Sequence, residues 1–170
     1  RFAARSNQNF LWGEFWLFFQ PIERKYSMLQ ILLTNDDGWD APGLAALKSV
    51  ASQIGKVHVV APYDAHSYCG HRVTGDRDLV LTQTASEEFH LDGTPADCVR
   101  IGIRALFPQI DWVFSGINRG GNLGADIFIS GTVAAAREAA LLGIPAIAIS
   151  QYVRKDLDLN WDTSGALALR

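Results

Sequence analysis

The stretch LQILLTN, residues 29–35, is an almost unbroken apolar run of strand length. Such a run suits a β-strand covered on both faces, and strands of that kind belong to parallel sheets sandwiched between helices. The pattern recurs. VHVVAP (57–62) and DWVFSG (111–116) are further strand-length runs, and IPAIAIS (144–150) is a fourth. Between them lie segments with helical spacing. DAPGLAALKSVASQIG places Leu44, Leu47, Val50, Ala51 and Ile54 on one face and stops at Gly55. TPADCVRIGIRALF opens with Thr94 as N-cap, Pro95 at the first helical position and Asp97 in the first turn. GTVAAAREAALLG is an alanine-rich helix closed by Gly143. DLVLTQT and EEFHLDG alternate apolar with polar residues and read as a short, half-exposed β-hairpin. Strands alternating with helices require right-handed crossovers and parallel pairing. The expected fold is one three-layer α/β/α domain with a mostly parallel sheet plus that hairpin.

This framework starts at Met28, the only methionine of the chain. Residues 1–27 hold 8 of the 18 aromatic residues and differ in character from the rest of the chain, so they read as a non-native or disordered N-terminal extension. Residues 28–170 then form the α/β domain. Its last residues, GALALR, break off inside an apolar pattern, as if truncated. The apolar part of the extension, FLWGEFWLFF, contains Glu14 and is too short for the ~30 Å of a bilayer core. A membrane span is not expected from it, and it makes a poor signal peptide, since the stretch carries an acid and no A-x-A site follows. A docking patch made by the aromatic residues 10–19 is the remaining reading of that segment.

A formal charge of −3 gives no bulk attraction to a nucleic-acid polymer or an anionic membrane, so any phosphate must be bound locally. Cys69 and Cys98 form no C-x-x-C pair and suit a reducing, cytoplasmic compartment. In open parallel sheets, ligands bind beyond the carboxyl ends of strands. Three such ends are rich in polar groups or glycine. The first carries Asp36 and Asp37. The second runs into YDAHSYCGHRVTGDRD, a long polar loop with His66, Ser67 and His71. The third runs into SGINRGGNLG, with four glycines and two asparagines in ten residues.

Adjacent carboxylates repel. A helix cap explains only one of them, and Asp40 is the better cap for the helix that begins near Ala41–Pro42. A hard divalent cation accounts for both Asp36 and Asp37, because it neutralises the pair and prefers oxygen ligands. Asn118 and Asn122 can each lend a carbonyl to a metal or an NH₂ to a phosphate. The turn Ser130-Gly131-Thr132 opens a helix, where free N–H groups favour a phosphate. Arg119 can add a charge-assisted contact, and either histidine can serve as a general acid.

Together, ILLTNDDGWDAPGL, VHVVAPYDAHS, LDGTPADCV, VFSGINRGGNLGADIFISGTVAAAREA and GIPAIAIS resemble the SurE family of survival-protein 5′-nucleotidases, in order from Met28 to about Ser150. The resemblance implies a Rossmann-like domain and a metal-dependent phosphatase that acts on nucleoside 5′-monophosphates. 3′-Nucleotides and short polyphosphate are further candidate substrates. It also implies one divalent ion per subunit, Mg²⁺ or Mn²⁺, held by Asp36, Asp37, Ser67 and Asn118, with Asp36 and Asp37 catalytic. Asn122 and the turn Ser130, Gly131 and Thr132 would face the phosphate, and the protein would form a homodimer or homotetramer. Tyr68 departs from the pattern, since it stands where the family has a small residue. A nucleotide- or phosphate-binding module without turnover is the alternative reading.

Overall fold

The computed structural model describes residues 28–156 and 158–168. The aromatic segment 1–27 and the last two residues lie outside them, as do the expectations placed there. A six-stranded sheet has the order β3-β4-β2-β1-β5-β6. Its strands are β1 (Leu29–Thr34), β2 (Gly55–Pro62), β3 (Leu81–Ala85), β4 (Glu88–Leu91), β5 (Trp112–Arg119) and β6 (Ala146–Gln151). All neighbours pair in parallel except β3 with β4, which form the antiparallel hairpin.

Alternation along β1 sends side chains to two cores. Ile31 and Leu33 pack on one face with Leu44, Leu47 and Ala51 of α1 (Pro42–Ala51). Leu32 packs on the other with Cys98 and Val99 of α2 (Pro95–Ile101). A single short turn, α3 (Asp126–Ile129), leads into α4 (Gly131–Leu141), whose Ala135 and Ala139 join the Leu32 core. The last helix, α5 (Trp161–Ala168), lies beside α1. Two helical layers therefore cover both faces of the sheet at its centre, where β1 and β2 are buried, whereas the apolar edge strand β6 stays partly exposed. Gly43 lets α1 approach β5 closely. A Cβ there would lie 2.0 Å from the Ile117 carbonyl oxygen and 2.9 Å from the Trp161 ring.

Several elements differ from the expectation. The helix expected over 94–107 is α2 followed by one π-helical turn, Gly102–Leu106. The start is as expected: Thr94 Oγ1 accepts from the Asp97 N–H, and the Asp97 carboxylate accepts from the Thr94 N–H. The loop expected to begin at Ser115 is strand as far as Arg119, because Asn118 and Arg119 pair with Ser150 and Gln151 of β6 beyond a register shift. Asp40 does not cap α1. The N-cap is Ala41, with no side-chain hydrogen bond, and Pro42 begins the helix. Asp40 lies one residue before that N-cap, and the Leu44 and Ala45 N–H groups of the first turn donate to the Ala41 carbonyl. The helix α5 has no counterpart among the elements expected from the sequence.

Candidate active site

The chain leaves β1 for β2 on one side and later returns, through α2, to β5 on the other side of β1. The crevice between the ends of β1 and β5 is therefore the topological switch point of the sheet, where open α/β folds bind ligands. Register sets what meets there. Thr34 pairs with Ser115, so the residues just beyond, Asp36 and Asp37, come level with Asn118 and Arg119.

A cavity of about 220 Å³ opens at this point, lined among others by Asp36, Asp37, Ser67, Asn118, Asn122 and Ser130. Six residues chosen from the sequence, at the ends of β1, β2 and β5 and at the start of α4, thus share one cavity. Gly131 and Thr132 do not line it; they stand behind Asp36. Thr132, fully buried, donates its hydroxyl to Asp36 Oδ1 at 2.6 Å. At Gly131 a Cβ would lie 2.8 Å from Asp36 Cβ and 3.0 Å from Cys69 Sγ, so only glycine allows this close approach. Ser130 Oγ accepts from the Val133 N–H and caps α4. The Asn122 amide donates to Ser150 Oγ at 2.7 Å.

Asp36 Oδ1 is held by the Thr132 hydroxyl, and the Thr132 and Asp36 backbone N–H groups also stabilise the carboxylate, which still lines the cavity. The candidate ligands Asp37 and Asn118 share one arrangement: each has a single oxygen or nitrogen committed and one oxygen left over. Asp37 Oδ2 accepts from the backbone N–H of Arg119 at 3.0 Å, leaving Oδ1. The Asn118 NH₂ donates to the Gly120 carbonyl at 2.9 Å, leaving the amide oxygen. Burial pushes the Asp36 carboxyl above its ordinary range; the Thr132 hydrogen bond opposes that, and the Asp37 charge adds to it. A buried carboxylate beside a second, half-buried one is a configuration that a cation relieves. Among the described residues, no group of three or more His, Cys, Asp or Glu could hold a metal. A cation here would rest on two carboxylates completed by hydroxyl and amide oxygen, an all-oxygen set that suits a hard ion.

The long loop after β2 carries Ser67 to the cavity and is pinned along its length. The His66 N–H donates to the Asp36 carbonyl at 2.7 Å, and the Gly70 N–H to the Ile129 carbonyl at 2.9 Å. His71 Nε2 pairs with Glu138 Oε2 at 2.7 Å, and the Thr74 N–H and hydroxyl both donate to Asp97. His71 is therefore an anchor to α4, and neither histidine lines the cavity. Burial pushes the His66 imidazole below its ordinary pKa, with Arg72 acting in the same direction.

Sequence reasoning missed the tether from Arg119 N–H, the role of Thr132 behind Asp36, and Asp126, which also lines the cavity. Nothing in local spacing marks a contact between residues 82 or 96 positions apart.

The family model for survival protein SurE matches residues 31–170. The 5′-nucleotidase SurE of Geotalea uraniireducens is 54% identical over 129 residues, which are 75% of this chain and 52% of that protein. The 5′-nucleotidase SurE of Geobacter sulfurreducens is 52% identical over 123 residues, 72% of this chain and 47% of that protein. The crystal structure of the SurE protein from Aquifex aeolicus superposes with a TM-score of 0.77 at 40% identity, covering 82% of this chain and 57% of that one. The chain thus spans about half the length of the curated relatives it matches.

Proposed function

The chain belongs to the SurE family, and from that premise we propose that it is a divalent-metal-dependent phosphomonoesterase. Its substrates are nucleoside 5′-monophosphates, hydrolysed to nucleoside and phosphate. The observation that carries this reading is the convergence of the oriented Asp36, Asp37 and Asn118 side chains on one cavity at the switch point. With the Ser67 hydroxyl they form the donor set for one Mg²⁺ or Mn²⁺ ion. The bound ion supplies Lewis-acid polarisation of the phosphoryl group.

The chain's own residues do the rest. Thr132 and the Arg119 N–H fix the two carboxylates in orientation, so the site is organised before substrate arrives. The Asn122 amide, held by Ser150, presents a donor to the phosphate. Ser130, at the N-terminus of α4, stands where the helix dipole favours the charge that builds on the equatorial oxygens. The Arg119 side chain adds positive charge at the rim.

A homodimer or homotetramer fits the exposed apolar side chains at one side of the molecule. There β6 ends the sheet, and Ile147 and Leu141 are exposed. Two free thiols support a reducing compartment, the cytoplasm. No helix among the described residues is long and apolar enough to cross a membrane. The test is phosphate release from a panel of nucleoside monophosphates, with Mg²⁺, with Mn²⁺ and with chelator. Metal-dependent release is expected. Metal and nucleotide binding by a folded chain without release would leave a binding module and refute the enzyme.

A further inference from the structure

Tyr68 is the single aromatic residue among those lining the cavity. It is 81% exposed, and its side chain makes no hydrogen bond or ring contact with another described residue. Its backbone has φ +58°, a left-handed conformation that bulky residues rarely adopt. The hydrogen bonds of His66 and Gly70 on either side hold the loop in place, so the ring stands at the cavity mouth on a fixed base. The loop thus accepts backbone strain and presents an aromatic face to water instead of burying it.

The cavity's size gives that ring a purpose. About 220 Å³ falls below the ~300 Å³ at which pockets able to enclose a whole drug-sized ligand begin. A phosphate and its cation fit, whereas the sugar and base must extend past the rim. Apart from Tyr68, Ile129 and two glycines, the lining is polar, so the floor suits phosphate and the lip offers a π-face.

We infer that Tyr68 is a specificity-determining residue that stacks on the nucleobase of the bound monophosphate, so that the site selects nucleotides over phosphate esters that lack a base. This rests on the phosphatase reading above. Base–aromatic stacking tolerates every base, because each has a π-face, so the selection is for a nucleobase as a class.

The test compares adenosine monophosphate with ribose 5-phosphate, which keeps the ester and lacks the base. Dissociation constants with Mn²⁺ present, and kcat and KM separately, are measured for the wild type, Tyr68→Ala and Tyr68→Phe. The wild type should favour the nucleotide by about 5- to 150-fold, the range spanned by stacking of one base on one ring. Tyr68→Ala should lose that preference through affinity and KM, and Tyr68→Phe should keep it. An equal loss for both ligands would mean that Tyr68 only shapes the cavity, and an unchanged nucleotide affinity would mean that it touches no base; either overturns the inference. A wild type that binds with the stated preference but releases no phosphate would refute the enzyme and leave the stacking intact. A wild type that binds neither ligand refutes both.

Discussion

Replacing Thr132 with valine tests whether Asp36 is a positioned ligand. The substitution keeps shape and β-branching and removes only the hydroxyl that donates to Asp36 Oδ1 at 2.6 Å. Both partners are buried, at 0% and 7% exposure, so water cannot replace the lost donor. A hydrogen bond to a charged group contributes about 1.5–3 kcal/mol. Expressed as an equilibrium, that is about 10- to 150-fold, which agrees with the ~10–100-fold loss in metal affinity usual when a group orienting a ligand is removed. Mn²⁺ titration by calorimetry or electron paramagnetic resonance should therefore show affinity weakened about 10–100-fold, with kcat/KM falling in step. The melting temperature should drop by about 3–12 °C for a chain of this size, with the circular dichroism spectrum unchanged. Thr132→Ser keeps the donor and should stay close to wild type. Mn²⁺ affinity of Thr132→Val within about twofold of wild type would refute the reasoning, because Asp36 would then need no orientation from behind.

Asp36→Asn removes a ligand charge without changing shape. It should abolish metal-dependent phosphate release while the thermal transition persists, as steady-state assays and melting curves would show. Gly131→Ala gains about 1 kcal/mol in helix propensity, but its Cβ would lie 2.8 Å from Asp36 Cβ, and overpacking of that kind costs about 1–3 kcal/mol. Stability should change little and Mn²⁺ affinity fall sharply; a variant with normal affinity would show that Asp36 has room to spare. Acid should destabilise the fold in two stages. Burial lowers the His58 imidazole from 6.5 despite the pull of Glu87. For Glu138, burial is the largest influence and pushes upward, but hydrogen bonds from Arg100 and His71 bring the carboxyl below 4.5. Both groups take up protons more readily unfolded. Their stabilisation is complete above 6.5 and 4.5 respectively and is lost as pH falls below each value. Melting temperatures measured from about pH 8 to about pH 4 should decline first below about 6.5, and His58→Gln should shrink that first stage to the share left by His66, whose imidazole burial also lowers from 6.5. A profile identical in the variant would rule out His58 as its source.

Much of the architecture is legible in the order of residues, because a parallel sheet buried on both faces demands continuous apolar strands, and LQILLT and VHVVAP leave little else to be. The capping box at Thr94 and Asp97 is legible for a similar reason: all its partners lie within one turn. The end of β5 is not. Asn118 and Arg119 look like loop residues, and only pairing with Ser150 and Gln151 makes them strand. Asp40 looks like a cap for α1, yet Ala41 takes the N-cap position and makes no side-chain hydrogen bond.

The sequence by itself determined the residue types available to the site and the strand ends that carry them: two carboxylates, a serine, two asparagines and a helix that opens with Ser130. Those are properties of composition and short-range period. Tertiary structure decided what each residue does. Thr132, expected to face a phosphate, is turned to Asp36, and His71 is tied to Glu138. Tyr68, expected only as a bulky neighbour, is raised at the cavity mouth. The reason is physical. Whether a polar atom is spent or free depends on the partner that reaches it, and these partners arrive from 67 to 96 residues away, through a register that no local pattern encodes.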